Sequence, residues 1–111
     1  AASDVYKRQT YEDVTNIDSV GVITARDGLR VTGISTFAGN LLPSANNTHD
    51  LGATGTRWAN AYVNDMHFSN KGSSNSVDGT WGDWTLQEGE NKIFMINNRT
   101  GKKYSLKMEE E

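Results

Sequence analysis

The sequence has no cysteine, one proline and few basic residues, and it has no long apolar run. Without cysteine the chain can form neither disulfides nor thiolate sites. A membrane-spanning helix needs roughly 20 apolar residues in succession, and no run approaches that length. A net charge of −3 with scattered lysines and arginines does not provide the concentrated positive face that displaces counterions from phosphates. We therefore expect neither a membrane nor a nucleic-acid partner.

What remains is a chain rich in small polar residues. Hydrophobic residues make up 35% of the 111 positions, which predicts a thin core for a single copy of this length. Asparagine, threonine, serine and glycine fill the deficit, and this mixture suits short strands and turns better than long helices. The composition predicts a mainly β protein.

The first nine residues, AASDVYKRQ, differ in pattern from everything that follows. They resemble the translated remnant of a sequencing adapter at the start of a metagenomic reading frame, which would make this chain the C-terminal fragment of a longer protein. The alternative is a genuine disordered terminus. In either case we expect residues 1–9 to contribute nothing to the fold, so that deleting them leaves the melting temperature unchanged.

Residues 10–40 alternate short apolar pairs with turn residues, which predicts a segment of short β-strands. The clearest signal is Asp27-Gly28, which lies between alternating β-branched residues and indicates a hairpin or tight turn. Strands this short need neighbouring strands, from the same chain or from identical chains. We call residues 10–40 the shaft segment.

Residues 41–70 are predicted to form an anchor loop and a strand. Pro43 favours extended backbone at Leu42, and the strand is expected after a single helical turn at 57–60, although a longer helix also fits the spacing of the apolar residues. We expect Trp58 to be buried, with the Arg57 guanidinium bracing it against a carboxylate or carbonyl group. The predicted structural anchor consists of Gly52, Gly55, Arg57, Trp58 and Tyr62.

The last part of the chain is predicted to be a linker at 71–79 and a three-stranded antiparallel β-meander at 80–108. The expected strands are 81–87, 92–97 and 102–108, joined by polar turns at 88–91 and 98–101. Because residues 93–96 are all apolar, the middle strand should be covered on both faces. The cover would come either from the anchor strand or from sister chains around a three-fold axis.

Few residues suggest chemistry. His49 and His67 lack metal-site spacing, and the acidic residues at 78, 83, 88 and 90 show neither a calcium-loop spacing nor a recognisable carboxylate pair. Ser105 and Lys107 have no partnered base. We predict no catalytic residue, no metal and no cofactor. The candidate glycan-binding residues are Trp81, Asp83 and Trp84, because indoles stack on sugar rings and carboxylates accept hydroxyl protons; the alternative is that both indoles belong to the core.

Three stretches resemble one family. The anchor pattern from Asp50 to Val63 is similar to a repeat in phage tail-fibre and tail-spike proteins. The segment VITARDGLRVTG at 22–33 resembles the repetitive shaft sequence of tail-fibre-like proteins of marine cyanobacterial phages. The segments 67–72, 77–90 and 97–104 resemble a C-terminal module of cyanophage virion proteins.

The resemblance covers residues 11–108 and implies a non-enzymatic structural component of a virion tail or appendage, assembled in the host cytoplasm. It implies a homotrimer in the intact protein, with other virion proteins as partners. Two alternatives stay open: a carbohydrate-binding tip that contacts host surface glycan, and the remnant of a glycan-cleaving tail spike.

Overall fold

A computed structural model describes residues 14–111. The chain divides into two units, 1–46 and 47–111. The leader predicted at residues 1–9 lies outside the described residues. Within 14–111 there is no helix that is both long and apolar enough to cross a membrane.

The second unit contains a four-stranded antiparallel sheet. Its strands are β1 (Met66–Ser69), β2 (Asp83–Glu88), β3 (Ile93–Asn97) and β4 (Lys103–Ser105), and they lie in the sheet in that order. Each strand therefore pairs with its neighbours in sequence, as in a simple meander. The prediction of a mainly β protein with a C-terminal antiparallel meander is confirmed. The structure adds a fourth strand, because the end of the anchor region pairs with β2.

Two tight turns connect the last three strands, and each contains a glycine. In the β2–β3 turn the Gly89 amide donates to the Lys92 carbonyl over 2.7 Å. In the β3–β4 turn the Gly101 amide donates to the Asn97 carbonyl over 2.7 Å, and Gly101 has a φ of 75°. That left-handed conformation disfavours any residue with a Cβ. The turns set a register that pairs Leu86 with Met95.

The shaft segment forms no strand within its described part, residues 14–40. All side chains there are exposed, and Gly28, with a φ of 124°, lies beside a bend without a paired hairpin. The prediction of short strands in this segment is therefore wrong for the single chain. The physical reason is that short strands gain too few contacts to offset the entropy of ordering them unless other strands pair with them.

The anchor region is a local turn rather than a buried helix-to-strand element. Ala53 and Thr56 form an isolated antiparallel bridge, closed by two backbone hydrogen bonds of 3.1 and 3.2 Å. No helical turn follows at 57–60. Tyr62 is 93% exposed and lies outside β1. The strand that was expected to include Tyr62 begins at Met66, four residues further along the chain.

The expectation that Trp58 is buried is wrong for the single chain, since the side chain is 70% exposed. Its indole lies over Gly52, where an added Cβ would come within 3.4 Å of Trp58 Cδ1. Among residues 14–111, Arg57 makes no hydrogen bond or ion pair, so the predicted brace is absent as well. The turn closed by Ala53 and Thr56, which follows Gly52 with its φ of 84°, brings the indole back onto its own loop instead of onto the sheet.

Trp58→Ala should therefore change the free energy of unfolding by less than about 1 kcal/mol, well below the ~3–5 kcal/mol typical of a buried tryptophan. Urea denaturation followed by far-UV circular dichroism measures the change. Tyr62→Ala is the matched control, since Tyr62 is also exposed. A loss on the buried-tryptophan scale with Trp58→Ala alone would contradict the exposed placement.

The sheet has two different faces. Cross-strand partners point to the same side, whereas neighbours along a strand point to opposite sides. One side, which we call the apolar face, carries six large apolar side chains, Met66, Phe68, Trp84, Leu86, Met95 and Tyr104, with Glu88 and Ile93 at the end next to the β2–β3 turn and Asn97 at the other end. The other side, which we call the polar face, carries His67, Ser69, Asp83, Thr85, Gln87, Phe94, Ile96, Lys103 and Ser105.

No layer covers the apolar face within the described residues. Thr85 is the one buried side chain of residues 14–111, and no hydrophobic residue there is buried. The β3 residues, predicted to be covered on both faces, are only half-buried. The anchor strand extends the sheet at its edge as β1, so it cannot also fold over a face. The single chain thus has a sheet without the second layer that globular domains normally have.

Candidate functional site

The loop between β1 and β2, residues 70–82, is held by two asparagines. The Asn70 carboxamide accepts from the Gly82 amide over 2.7 Å, while the Asn70 amide donates to the Gly82 carbonyl over 3.3 Å. The Asn75 carboxamide oxygen accepts from the amides of Val77 and Asp78 over 2.8 and 2.9 Å. This pattern is an Asx turn, in which a side chain imitates a backbone turn. Although the segment was predicted as a linker, it closes back onto the sheet.

Arg99 clamps the end of this loop from the β3–β4 turn. Its guanidinium carbon lies 3.7 Å from the centroid of the Trp81 ring, a cation–π contact. The same side chain donates from Nη1 to the Trp81 carbonyl over 2.9 Å. One end of Arg99 thus fixes both the ring and the backbone of Trp81.

An open concavity of about 910 Å³ lies at this end of the sheet. We call it the indole concavity, because its walls include Trp81 and Trp84 together with Arg99, Phe68, Asn75 and Asp78. Trp84 also contacts Tyr104, with ring centroids 5.8 Å apart and the planes tilted by 43°. Both indoles are half-buried, so each keeps a surface that a ligand can contact.

The structure brings together two of the three candidate glycan-binding residues. Asp83 does not line the indole concavity, because it precedes Trp84 on β2 and so points to the polar face. There its Oδ1 accepts from Asn98 Nδ2 over 3.0 Å. The carboxylate that does line the concavity is Asp78.

Most polar groups of the concavity already have partners inside the protein. Asn75 Nδ2 donates to Asp78 Oδ1 over 2.7 Å and to the Thr80 carbonyl over 2.9 Å. The Thr80 hydroxyl donates to Asp78 Oδ1 over 2.7 Å. These bonds build the wall of the concavity, so the donors left for a ligand are the other N–H groups of the Arg99 guanidinium and the indole N–H groups of Trp81 and Trp84.

The residues singled out for metal binding or catalysis do not converge. Residues 14–111 contain no group of three histidine or acidic side chains that could hold a metal ion. His67 lies on the polar face, with Nδ1 3.1 Å from the Thr85 hydroxyl. Of the acidic residues, Glu88 is the last residue of β2 and Glu90 lies in the following turn. Asp78 lies in the loop before β2, so it is at the opposite end of that strand.

Asp78 is the acidic group with a clear electrostatic environment. Hydrogen bonds from the Thr80 hydroxyl, from the Asn75 carboxamide and from the Thr80 amide hold the pKa of Asp78 below its usual value of 3.8. They do so because they stabilise the ionised carboxylate. A group whose pKa is lower in the folded state contributes stability that is present above its unfolded pKa and is lost as the pH falls through the folded pKa.

The Asn75–Thr80 turn should therefore be unaffected at neutral pH and loosen as the pH falls below about 4. The amide of Thr80, which donates to Asp78 Oδ1 over 3.1 Å, should report this as an acid-induced change in its NMR chemical shift. Asp78→Asn should abolish that titration. Asp18→Asn is the matched control and should leave it intact; an acid titration that persists in Asp78→Asn would show that another group controls the loop.

Sequence reasoning identified the two indoles but missed Arg99, Asn75 and Asn70 as the residues that position them. Arg99 and Trp81 are separated by 18 positions, and only the pairing of β2 with β3 brings them together. No protein-family model matches the chain, and neither a curated protein nor a solved structure is significantly similar to it.

Proposed function

We propose that this protein is a non-enzymatic structural component of a phage tail fibre or related virion appendage, in which identical chains, three in the intact protein, complete one another's core. The observation that supports this proposal is the absence of any buried hydrophobic side chain among residues 14–111. A sheet with one apolar face normally buries that face against another layer. An assembly of identical chains provides such a layer and also provides strand partners for the shaft segment.

The exposed apolar residues of the shaft segment agree with this proposal. Ile34 is 96% exposed and Leu29 is 80% exposed, in a stretch that alternates apolar and polar residues and yet forms no strand. Such a sequence gains its strand partners when identical chains lie side by side. The same sequence in a self-sufficient monomer would leave these side chains in water without a role.

Immunogold electron microscopy on particles of a phage that carries this gene tests the proposal. Antibody raised against the second unit should label a tail or appendage, and denaturing electrophoresis of purified particles should contain the protein. Particles produced from a phage with the gene deleted are the control. A protein found only in the infected cell and never on particles would refute the structural role.

The indole concavity supports a second candidate function, the binding of host surface glycan. Trp81 and Trp84 together line a concave surface, and such surfaces with exposed indoles stack on sugar rings. Fluorescently labelled polysaccharide from the host surface is the probe. Binding that is lost in Trp81→Ala but kept in Trp58→Ala, which changes an exposed tryptophan outside the concavity, would favour this function.

A glycan-cleaving activity is the remaining proposal from the sequence. Its test is release of reducing ends from the same polysaccharide. Release that is unchanged by substitution of Asp78 would indicate an activity outside the indole concavity.

A further inference from the structure

The apolar face is a continuous surface whose one charged residue, Glu88, lies at its end, next to the β2–β3 turn. Three of its members remain well exposed, Met66 at 38%, Phe68 at 48% and Tyr104 at 48%. The other three, Trp84, Leu86 and Met95, are half-buried. These six apolar side chains are contiguous, and Glu88 borders them at the last position of β2. Single exposed apolar side chains are normal on a protein surface, but a contiguous set marks an interaction site.

The size of this surface indicates a weak contact. Aromatic and other large side chains bury about 150–250 Å² each, so the exposed remainder of the six side chains is of order 400 Å² on each chain. A stable interface of standard size needs about 800 Å² from each partner. Contact through the apolar face alone therefore provides about half of that area and should be reversible on dilution.

The charge of the chain restricts which partner fits. The chain carries a net charge of −3, so two copies repel over most of their surfaces. At the apolar face that repulsion is smallest, because its one charged residue, Glu88, lies at the end of β2 and outside the six apolar side chains. The same face of another copy also has the same twist and the same length, which is the condition for two sheets to pack about 10 Å apart.

We propose that the apolar face is a self-association surface, which packs against the apolar faces of other copies of this chain. The inference rests on the proposed function for its partner and deepens it by naming the residues that meet. Met66 and Tyr104 lie on the two edge strands and mark the two borders of the contact. Leu86 and Met95 lie between them.

Analytical ultracentrifugation of the full 111-residue chain over increasing concentration tests this proposal. The average mass of the wild type should rise with concentration. Met66→Glu and Tyr104→Glu should each weaken association at least about tenfold, because they place an unpaired charge in an apolar contact. Val77→Glu is the matched control: it makes the same change of charge at an apolar residue that is 93% exposed and lies in the 70–82 loop, and its association should equal that of the wild type.

Far-UV circular dichroism verifies that each variant is folded, and Met66→Leu, which keeps an apolar side chain, should associate like the wild type. Two results would overturn the proposal: association that is unchanged in both folded glutamate variants, or a chain that stays monomeric at the highest concentration. The stoichiometry separates this inference from the proposed function. A face-dependent trimer supports both, whereas a face-dependent dimer supports the surface and contradicts the three-fold assembly.

Discussion

Thr85→Val should lower the free energy of unfolding by about 1–3 kcal/mol, because it removes the hydroxyl group at the one buried position of the described chain. Thr85 is 4% exposed. Its Oγ1 accepts from Asn98 Nδ2 over 2.9 Å and lies 3.1 Å from His67 Nδ1. A hydroxyl that accepts from Asn98 still has its own proton to donate, which suits a His67 ring that is unprotonated at Nδ1.

Valine has nearly the shape of threonine, so the substitution changes hydrogen bonding and little else. His67 Nδ1 loses its partner, and Asn98 Nδ2 keeps only Asp83 Oδ1. The Thr85 hydroxyl joins β2 to His67 on β1 and to Asn98 in the β3–β4 turn. Its removal therefore breaks hydrogen bonds between three parts of the sheet. Urea denaturation measures the loss.

Thr85→Ser, which keeps the hydroxyl, is the control and should retain most of the stability. If Thr85→Val proves as stable as Thr85→Ser, the hydrogen-bond network makes no net contribution. Because a single-layer sheet is marginally stable, a loss near 3 kcal/mol could unfold the second unit altogether. Amide hydrogen exchange of β2 and β3 would then detect the change.

Gly89→Ala should destabilise the β2–β3 turn by about 1–3 kcal/mol through a steric clash. A Cβ at this position would lie 2.6 Å from Phe94 Cε2 and 3.3 Å from the Lys92 carbonyl oxygen. The first distance is far inside van der Waals contact, so the Phe94 ring must move or the turn must open. The cost is expected in the free energy of unfolding measured by urea denaturation.

Two other glycines separate this clash from the general effect of losing a glycine. Gly101→Ala meets no atom within 4 Å but has a φ of +75°, so its cost should come from backbone strain alone, about 1–2 kcal/mol. At Gly55 there is neither a close atom nor a positive φ, so Gly55→Ala should be nearly neutral. In the Gly89→Ala background, Phe94→Leu should recover part of the lost stability, because the smaller side chain relieves the clash. If the double variant instead loses as much stability as the two single variants lose together, the clash with Phe94 is contradicted.

Much of the second unit was predictable from local sequence signals. The turns at 88–91 and 98–101 contain glycine and asparagine, and the residues between them favour strands, so the meander follows from propensities that act within a few positions. The indole concavity was only partly predictable. Trp81 and Trp84 were identified because their side chains are unusual, but the positions of Asn75 and Arg99 depend on a loop closing against a turn far along the chain.

The errors were made where the prediction depended on partners. Trp58 was expected in a core because a large indole normally is buried, yet its position follows from the local turn closed by Ala53 and Thr56, which returns the indole onto Gly52. The shaft segment was expected to form strands because it alternates apolar and polar residues, yet a pattern cannot pair a strand when no other strand is beside it. In both cases the sequence pattern identified apolar side chains that favour burial or pairing. It contained no information on whether other parts of the chain lie close enough to contact them.

The mainly β character, the order of the C-terminal strands and the absence of thiol chemistry all follow from residue types or from neighbours in the chain, so they could be predicted from the sequence. Three other features depend on how the strands pair: the side that each strand presents, the position of β1 at the edge of the sheet instead of over a face, and the direction of Asp83 away from Trp84. The reason is that register and pairing are long-range: a shift of one position would exchange the apolar and polar faces. The bare apolar face is thus a property of the folded sheet.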